Sequence, residues 1–299
     1  MFLTMQQFNL SNSSLTTPVS AEYLIRSSIL GICFILGVPA NIAAIIHLTG
    51  WLKGGSFTPR LMLSLAISDL LTLLSVPLWI WAFLHGWVFG LVLCKLLSYL
   101  VYLCVYCSSL CMILMSVQRY IQVLHPEKWN KLGKKGKKFL LSSLWILSGV
   151  LSCYVLVQRI IKDKNRQLQC IPHYRNNAEK VATLIWEIVL FVFFFTTLTY
   201  FYVHLYRGVN NTAFFNSRSL TKLVIRIVAC FFIFWIPLQI SNIVLIAAVL
   251  HGNDSLLKSA ASVVKIMAAL TFVNSCVNPF LYAFSARAVR QETAGTEDA

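Results

Sequence analysis

Few residues in this 299-residue chain can do chemistry, because 58% are apolar and only 12% are charged. Asp69 stands alone in the apolar run LSLAISDLLTLLSVP. A carboxylate in such a run is costly, so it needs partners and a role. Asn41, Ser108, Asn274, Ser275 and Asn278 lie in other apolar runs, and Asn274 and Asn278, four apart, share a helix face. A carboxylate with Ser and Asn oxygens suits a small hard cation or a water cluster. The same residues suit a polar network that joins helices. The two readings are compatible, and a network often occupied by sodium is the expectation. Glu187, in LIWEIVL, is a second isolated acid, which Arg159 or Lys180 could neutralise. Arg119 ends a stretch with no charge after Lys95, where an arginine can snorkel to the head groups. His47, His85, His125, His173, His204 and His251 are scattered over run ends and loops, so no metal set or nucleophile–base pair emerges. No enzyme and no cofactor beyond that sodium are expected.

The elements that must hold these residues are apolar. A soluble domain carries about 25% charged residues. The chain is therefore expected to be an all-α membrane protein, a seven-transmembrane-helix bundle. Its apolar runs cover approximately Tyr23–Leu48, Pro59–Leu84, Leu91–Leu124, Phe139–Val157, Val181–Tyr206, Leu220–Leu250 and Ala260–Phe284. Each suits a tilted helix across a hydrocarbon core of about 30 Å. In the third, Cys94 to Arg119 makes a rod of roughly 37 Å. Pro39, Pro77, Pro237 and Pro279 are expected to break the hydrogen-bond ladders of four helices, with Trp235 beside one such hinge. The expected organisation is a tail over 1–22, a membrane domain over 23–285 and a short tail over 286–299. Residues 1–22 carry no basic residue, so the positive start of a signal peptide is missing. Asn9 and Asn12 head glycosylation sequons in that tail. Of nine cysteines, seven fall inside runs, where cysteine behaves as a small hydrophobe. Only Cys94 and Cys170 fall at a run end or in a loop, and two cysteines in an oxidising compartment would pair.

Orientation follows from the basic residues. An outside N-terminus places fifteen of the 25 Lys and Arg on the inside, including the run KLGKKGKK from Lys131. That run is expected to attract anionic cytoplasmic lipid. Six outside basic residues crowd between the fourth and fifth runs: Arg159, Lys162, Lys164, Arg166, Arg175 and Lys180. A basic mouth of this kind either draws an anionic ligand or is a solvated charge run. Nothing points to nucleic acid. Asn253, in NDS, would be a further outside sequon.

Together these residues resemble the rhodopsin-like (class A) G-protein-coupled receptors. The matches are Asn41 in the first helix, Leu65-Ala66-Ile67-Ser68-Asp69 in the second, Trp145 in the fourth, the Cys94 and Cys170 pair, Phe231 to Pro237 as FxxxWxP, and Asn278-Pro279-Phe280-Leu281-Tyr282 as NPxxY. Their order within seven runs makes the set specific. Val157-Gln158-Arg159, the loop Cys170-Ile171-Pro172-His173-Tyr174, and Lys180 seven residues before Glu187 are similar to the leukotriene B(4) receptors of the chemoattractant branch. That resemblance implies a plasma-membrane receptor with an outside N-terminus, a heterotrimeric G protein of the inhibitory class as partner, and an anionic lipid ligand. It puts Arg159, Lys180, Glu187, Tyr99, Tyr102 and Trp235 around the ligand. It gives Gln118-Arg119-Tyr120, Pro237, Pro279 and Tyr282 the activation roles.

The departures are informative. Gln118 stands where the family has an acid beside Arg119, so the usual ionic restraint is missing. Val203 replaces an activation tyrosine, with Tyr202 beside it, and no proline lies near Phe195. These leave room for elevated ligand-free signalling or for a weakly coupled decoy. An acidic peptide or another anionic metabolite is the alternative ligand. A transporter would need broken helices in corresponding halves, and no internal repeat is present.

Overall fold

The computed structural model describes residues 21–52, 57–164, 167–210 and 218–280. Its helices are α1 (Ala21–Trp51), α2 (Thr58–Leu74), α3 (Val76–His85), α4 (Gly90–Leu124), α5 (Pro126–Lys131), α6 (Gly133–Gln158), α7 (Asn177–Asn210), α8 (Arg218–Leu250) and α9 (Asp254–Leu270). After a turn at Thr271, residues 272–280 are again helical. With α2 and α3 taken as one bent rod and α9 extended to Phe280, seven helices are long and apolar enough to cross a membrane. Ile35, Ile46, Val150 and Val157 point outward with more than 60% of their surface open. Water would not tolerate that much bare apolar surface, whereas hydrocarbon does.

The rod α4 is the hub, packing on α2, α6, α7 and α8. The main core gathers on it: Leu65, Cys111, Met112, Met115, Leu198 and Phe231 are all buried there. Helix α1 comes close because of Gly37. A Cβ there would sit 2.6 Å from Leu73 Cδ1 and 2.9 Å from Cys276 Sγ, so only glycine permits the approach. Asn41 then staples the first helix to the seventh, its Nδ2 donating to the Ser275 carbonyl at 2.9 Å.

Several expected features differ. Pro77 lies beside a helix break, at Ser75 between α2 and α3, whereas the helices continue through Pro39 and Pro237, where each proline leaves one ladder bond without its N–H. Ser68, Thr72 and Ser75 each return a hydroxyl to a carbonyl three or four residues back, which bends a helix and helps place the break there. The fourth helix starts at Gly133 rather than Phe139, because lysines are good helix formers and carry α6 beyond its apolar part. The last starts at Asp254 rather than Ala260. Asn253 caps it, accepting from Leu256 N at 3.0 Å, and Asp254 suits the positive helix end.

The basic loop is an antiparallel hairpin, β1 (Arg159–Lys164) with β2 (Gln167–Pro172), pairing Arg159 with Pro172 and Ile161 with Cys170. Cys94 and Cys170 are disulfide-bonded, with Cα atoms 5.7 Å apart, which ties the hairpin to the start of α4. On the other side Trp87 N donates to the Leu168 carbonyl at 2.7 Å. Gly86 precedes it at φ 90°, a backbone angle that favours glycine.

Candidate functional site

Three polar groups lie along the bundle. The central one is Asp69, which is 1% exposed. Asn278 Nδ2 donates to its Oδ2 at 2.7 Å, and Ser108 Oγ donates to its Oδ1 at 3.4 Å. Ser68 and Ser108 share a hydroxyl–hydroxyl bond of 2.8 Å, which brings Ser68 into the network. A cavity of about 20 Å³ adjoins, lined by Asp69, Ser108, Asn274, Ser275, Phe231 and Trp235. That is room for a water or a small cation. All five residues expected together do meet here. Asn274 Oδ1 and Asn278 Oδ1 are buried without a hydrogen-bond partner. A carboxylate with no ion pair among the described residues, two open carbonyl oxygens and a small cavity make a donor set that fits a hard cation such as sodium. Trp235, stacked on Phe231 at 5.5 Å, lines the wall of this cavity.

The second group lies nearer the hairpin. Tyr102 donates to Glu187 Oε1 at 3.3 Å, Tyr106 and Tyr154 share a bond of 3.3 Å, and Tyr154 meets the Tyr102 ring edge to face at 5.8 Å. Tyrosines hold Glu187 by hydrogen bond, and Arg159 acts on it only at longer range: among the described residues no close ion pair joins it to Arg159 or Lys180. The reason is geometric. Lys180 lies seven residues, about 10 Å, higher on α7. Arg159 turns from α6 into an extended conformation and starts β1. Tyr99, expected in the same cavity, directs its hydroxyl at Gly149 of α6, where a Cβ would lie 3.1 Å away. Tyr106 and Tyr154 were not singled out from the sequence; a tyrosine every fourth residue after Tyr102 was the available signal for the first. Tyr174, just after β2, is another member, and burial followed by the Glu187 charge pushes its phenol up to about 12. Gln239 and Asn242 on α8 were missed as well. Both are buried, Asn242 Nδ2 approaches Gln239 Oε1 at 3.5 Å, and Asn242 Oδ1 is unpartnered.

The third group is at the opposite end. Arg119 is 8% exposed, and its Nη2 donates to Thr58 Oγ1 at 3.2 Å. Gln118 Nε2 donates to the same oxygen at 2.8 Å. Arg119 is therefore restrained although no carboxylate pairs with it among the described residues. Thr58, a span-end residue that nothing in its local sequence marks, was overlooked. Tyr120 turns away from both and meets Phe201 edge to face at 5.4 Å.

At the hairpin end, Glu22 accepts from Ser262 at 2.7 Å and pairs with Lys265 at 3.0 Å and Arg26 at 3.2 Å. Arg26 lies 3.8 Å above the Phe83 ring, and Tyr23 OH accepts from Gln169 Nε2 of β2 at 2.6 Å. The first helix is thus fastened to α3, α9 and the hairpin. Asn9, Asn12, Tyr282 and Ser217 lie outside the described residues, as do the side chains of Tyr202, Lys164, Arg218 and Ser219.

Comparison with known proteins agrees with this architecture. The family model of the 7 transmembrane receptor (rhodopsin family) matches residues 40–282. Leukotriene B4 receptor 1 of Homo sapiens is 29% identical over 285 residues, covering 92% of this chain and 81% of the relative. C-C chemokine receptor type 8 of Mus musculus is 29% identical over 288 residues, 90% and 80% covered. C5a anaphylatoxin chemotactic receptor 1 of Oncorhynchus mykiss is 30% identical over 276 residues, 87% and 77% covered. The chain belongs to the rhodopsin family of seven-transmembrane receptors and is a multi-pass membrane receptor of the G-protein-coupled, chemoattractant-like kind, not an enzyme.

Proposed function

We propose that this receptor, with its N-terminus outside the plasma membrane, binds an anionic lipid mediator of the leukotriene B(4) type and signals through a heterotrimeric G protein of the inhibitory class. The observation that carries the ligand is the hairpin end. Arg159 and Lys180 stand above a partly buried wall of Tyr102, Tyr106, Tyr154 and Glu187 with no ion-pair partner among the described residues. A carboxylate would supply the missing charge through a charge-assisted hydrogen bond. A ligand hydroxyl would find donors and acceptors in the tyrosine–Glu187 group. The relative named for leukotriene B4 supports the same class. Asp69 and its oxygens hold a sodium ion in the resting receptor. Saturable binding of tritiated leukotriene B(4) to membranes carrying the chain tests the ligand. Arg159→Ala is expected to weaken it roughly tenfold or more, and replacing the exposed Lys162 by Ala far less, because an exposed charge is screened. Equal small losses at both positions would reduce the cations to steering.

An acidic peptide is the second reading. Exposed Lys162 and Arg175 widen the basic surface beyond what one small ligand covers, and two of the relatives are named as chemokine and C5a receptors. Peptide that displaces no leukotriene B(4), while stimulating nucleotide exchange by itself, would favour it.

A further inference from the structure

Helices α6 and α7 both pack along α4 but scarcely touch one another. Between their hairpin-side halves lies a slot of about 420 Å³ that opens toward the surrounding lipid. Val150 and Leu151 form one side, and Ala182 and Trp186 the other. Trp186 and Val150 are 45% and 64% exposed, so neither helix covers them. At the water-side end Gln158 Nε2 donates to Thr183 Oγ1 at 3.0 Å and ties the two helices. The inner wall is Tyr154, whose hydroxyl meets Tyr106 and whose ring meets Tyr102. One side chain therefore separates the slot from the Glu187 group.

The charges at the slot's mouth are uneven. Arg159 follows Gln158, and Lys180 follows Glu179, in sequence. Glu179 also lines the slot, but its Oε2 already accepts from the Arg175 backbone N at 2.7 Å. Neither Arg159 nor Lys180 has an ion pair among the described residues. An apolar trough in the membrane, closed at its water end by hydrogen-bonding groups, with Arg159 and Lys180 next in the chain to its lining residues Gln158 and Glu179, matches a molecule with a hydrocarbon tail and one anionic head.

We propose that the α6–α7 slot is a lipid-facing subsite for the hydrocarbon chain of a single-chain anionic lipid, whose head group binds at Arg159 and Lys180. The slot faces the outer leaflet in the orientation proposed above, and its occupant reaches the tyrosine–Glu187 group past Tyr154. The inference rests on the anionic-lipid reading but locates the tail outside the bundle's core, where none of the sequence-derived ligand residues except Arg159 and Lys180 lies.

The test uses the full chain in nanodiscs and a long-chain fatty acid bearing a diazirine on its tail. Irradiation followed by peptide mass spectrometry is expected to place label on peptides containing Val150 and Trp186, in excess over lipid-facing α1 peptides containing Ile35. Ala182→Trp, on an exposed position, fills the slot and is expected to remove that excess while surface expression and thermal stability stay at parent values. The methyl ester of the probe, or the parent acid on Arg159→Gln/Lys180→Gln, is expected to label about tenfold less, the loss of a charge-assisted contact. Even labelling of α1 and the slot would overturn the proposal as ordinary annular lipid, and equal labelling by acid and ester would overturn its head-group chemistry. Leukotriene B(4) added in excess is a separate arm. Failure to displace a slot-specific label sinks the leukotriene reading and leaves the slot standing.

Discussion

Thr58 changes what the substitution of an acid by Gln118 means. A neutral residue cannot form the ionic restraint on Arg119, which by itself implies a loosened resting state. One hydroxyl nevertheless takes hydrogen bonds from both Gln118 and Arg119 and ties α4 to the start of α2. The expected basal activity is therefore held down by Thr58. Thr58→Val removes both bonds, each worth about 1–3 kcal/mol, and is expected to raise ligand-free nucleotide exchange by about tenfold or more. Gln118→Asp is expected to lower it, because a carboxylate beside the guanidinium adds an ion pair. If Thr58→Val and the parent show the same ligand-free exchange while binding is intact, the clasp has no control and the decoy reading gains. At Asp69 the corresponding test is ionic. Raising sodium is expected to lower agonist affinity in the parent, since a cation that favours the resting state opposes agonist by linkage. Asp69→Asn is expected to abolish that dependence; an unchanged sodium response would leave the cluster as polar glue.

At the scale of elements, the hairpin is held by the Cys94–Cys170 bridge, the Trp87 to Leu168 hydrogen bond and the Gln169 to Tyr23 hydrogen bond. The bridge spans 76 residues of sequence, so in the chain-entropy account it contributes about 4 kcal/mol. Cys94→Ser is expected to cut surface expression and ligand binding together, and binding at parent affinity in that variant would contradict it. Glu22 has a comparable duty between α1 and α9. Glu22→Gln keeps the shape and loses the charge that faces Lys265 and Arg26. With Lys265 more than a third open to solvent, the loss is expected near 1 kcal/mol, read as a small fall in Tm of the detergent-solubilised receptor. No change in Tm would mean that Tyr23 and Arg26 hold the first helix without it.

For the whole molecule, the proposed orientation makes the hairpin end the ligand end and Arg119 the G-protein end. An epitope at the N-terminus is expected to be stained on intact cells, and staining only after permeabilisation would invert the assignment of both ends. Seven apolar runs and the cost of Asp69 inside one of them were legible in one dimension, because hydropathy and burial penalty are properties of local sequence. The meeting of Asp69 with Ser108 and Asn278 was legible from residue chemistry, since each is a polar group that needs a partner inside an apolar run. The hairpin was not, since RIIKDK and QLQCIP carry no clean alternation and acquire a register only when the Cys94 bridge and Trp87 hold them. Nor was Glu187's choice of Tyr102 as hydrogen-bond partner. That choice depends on the depth of each side chain along its helix and on α6 turning into β1 at Arg159. By itself the sequence determined the number of helices, their polar stations and the charge of one mouth. The tertiary structure alone decided which faces meet: Thr58 under Arg119, Tyr154 against Tyr106, and a slot where α6 and α7 fail to pack. Rotation of a helix about its axis leaves composition and hydropathy unchanged, and only its neighbours determine it.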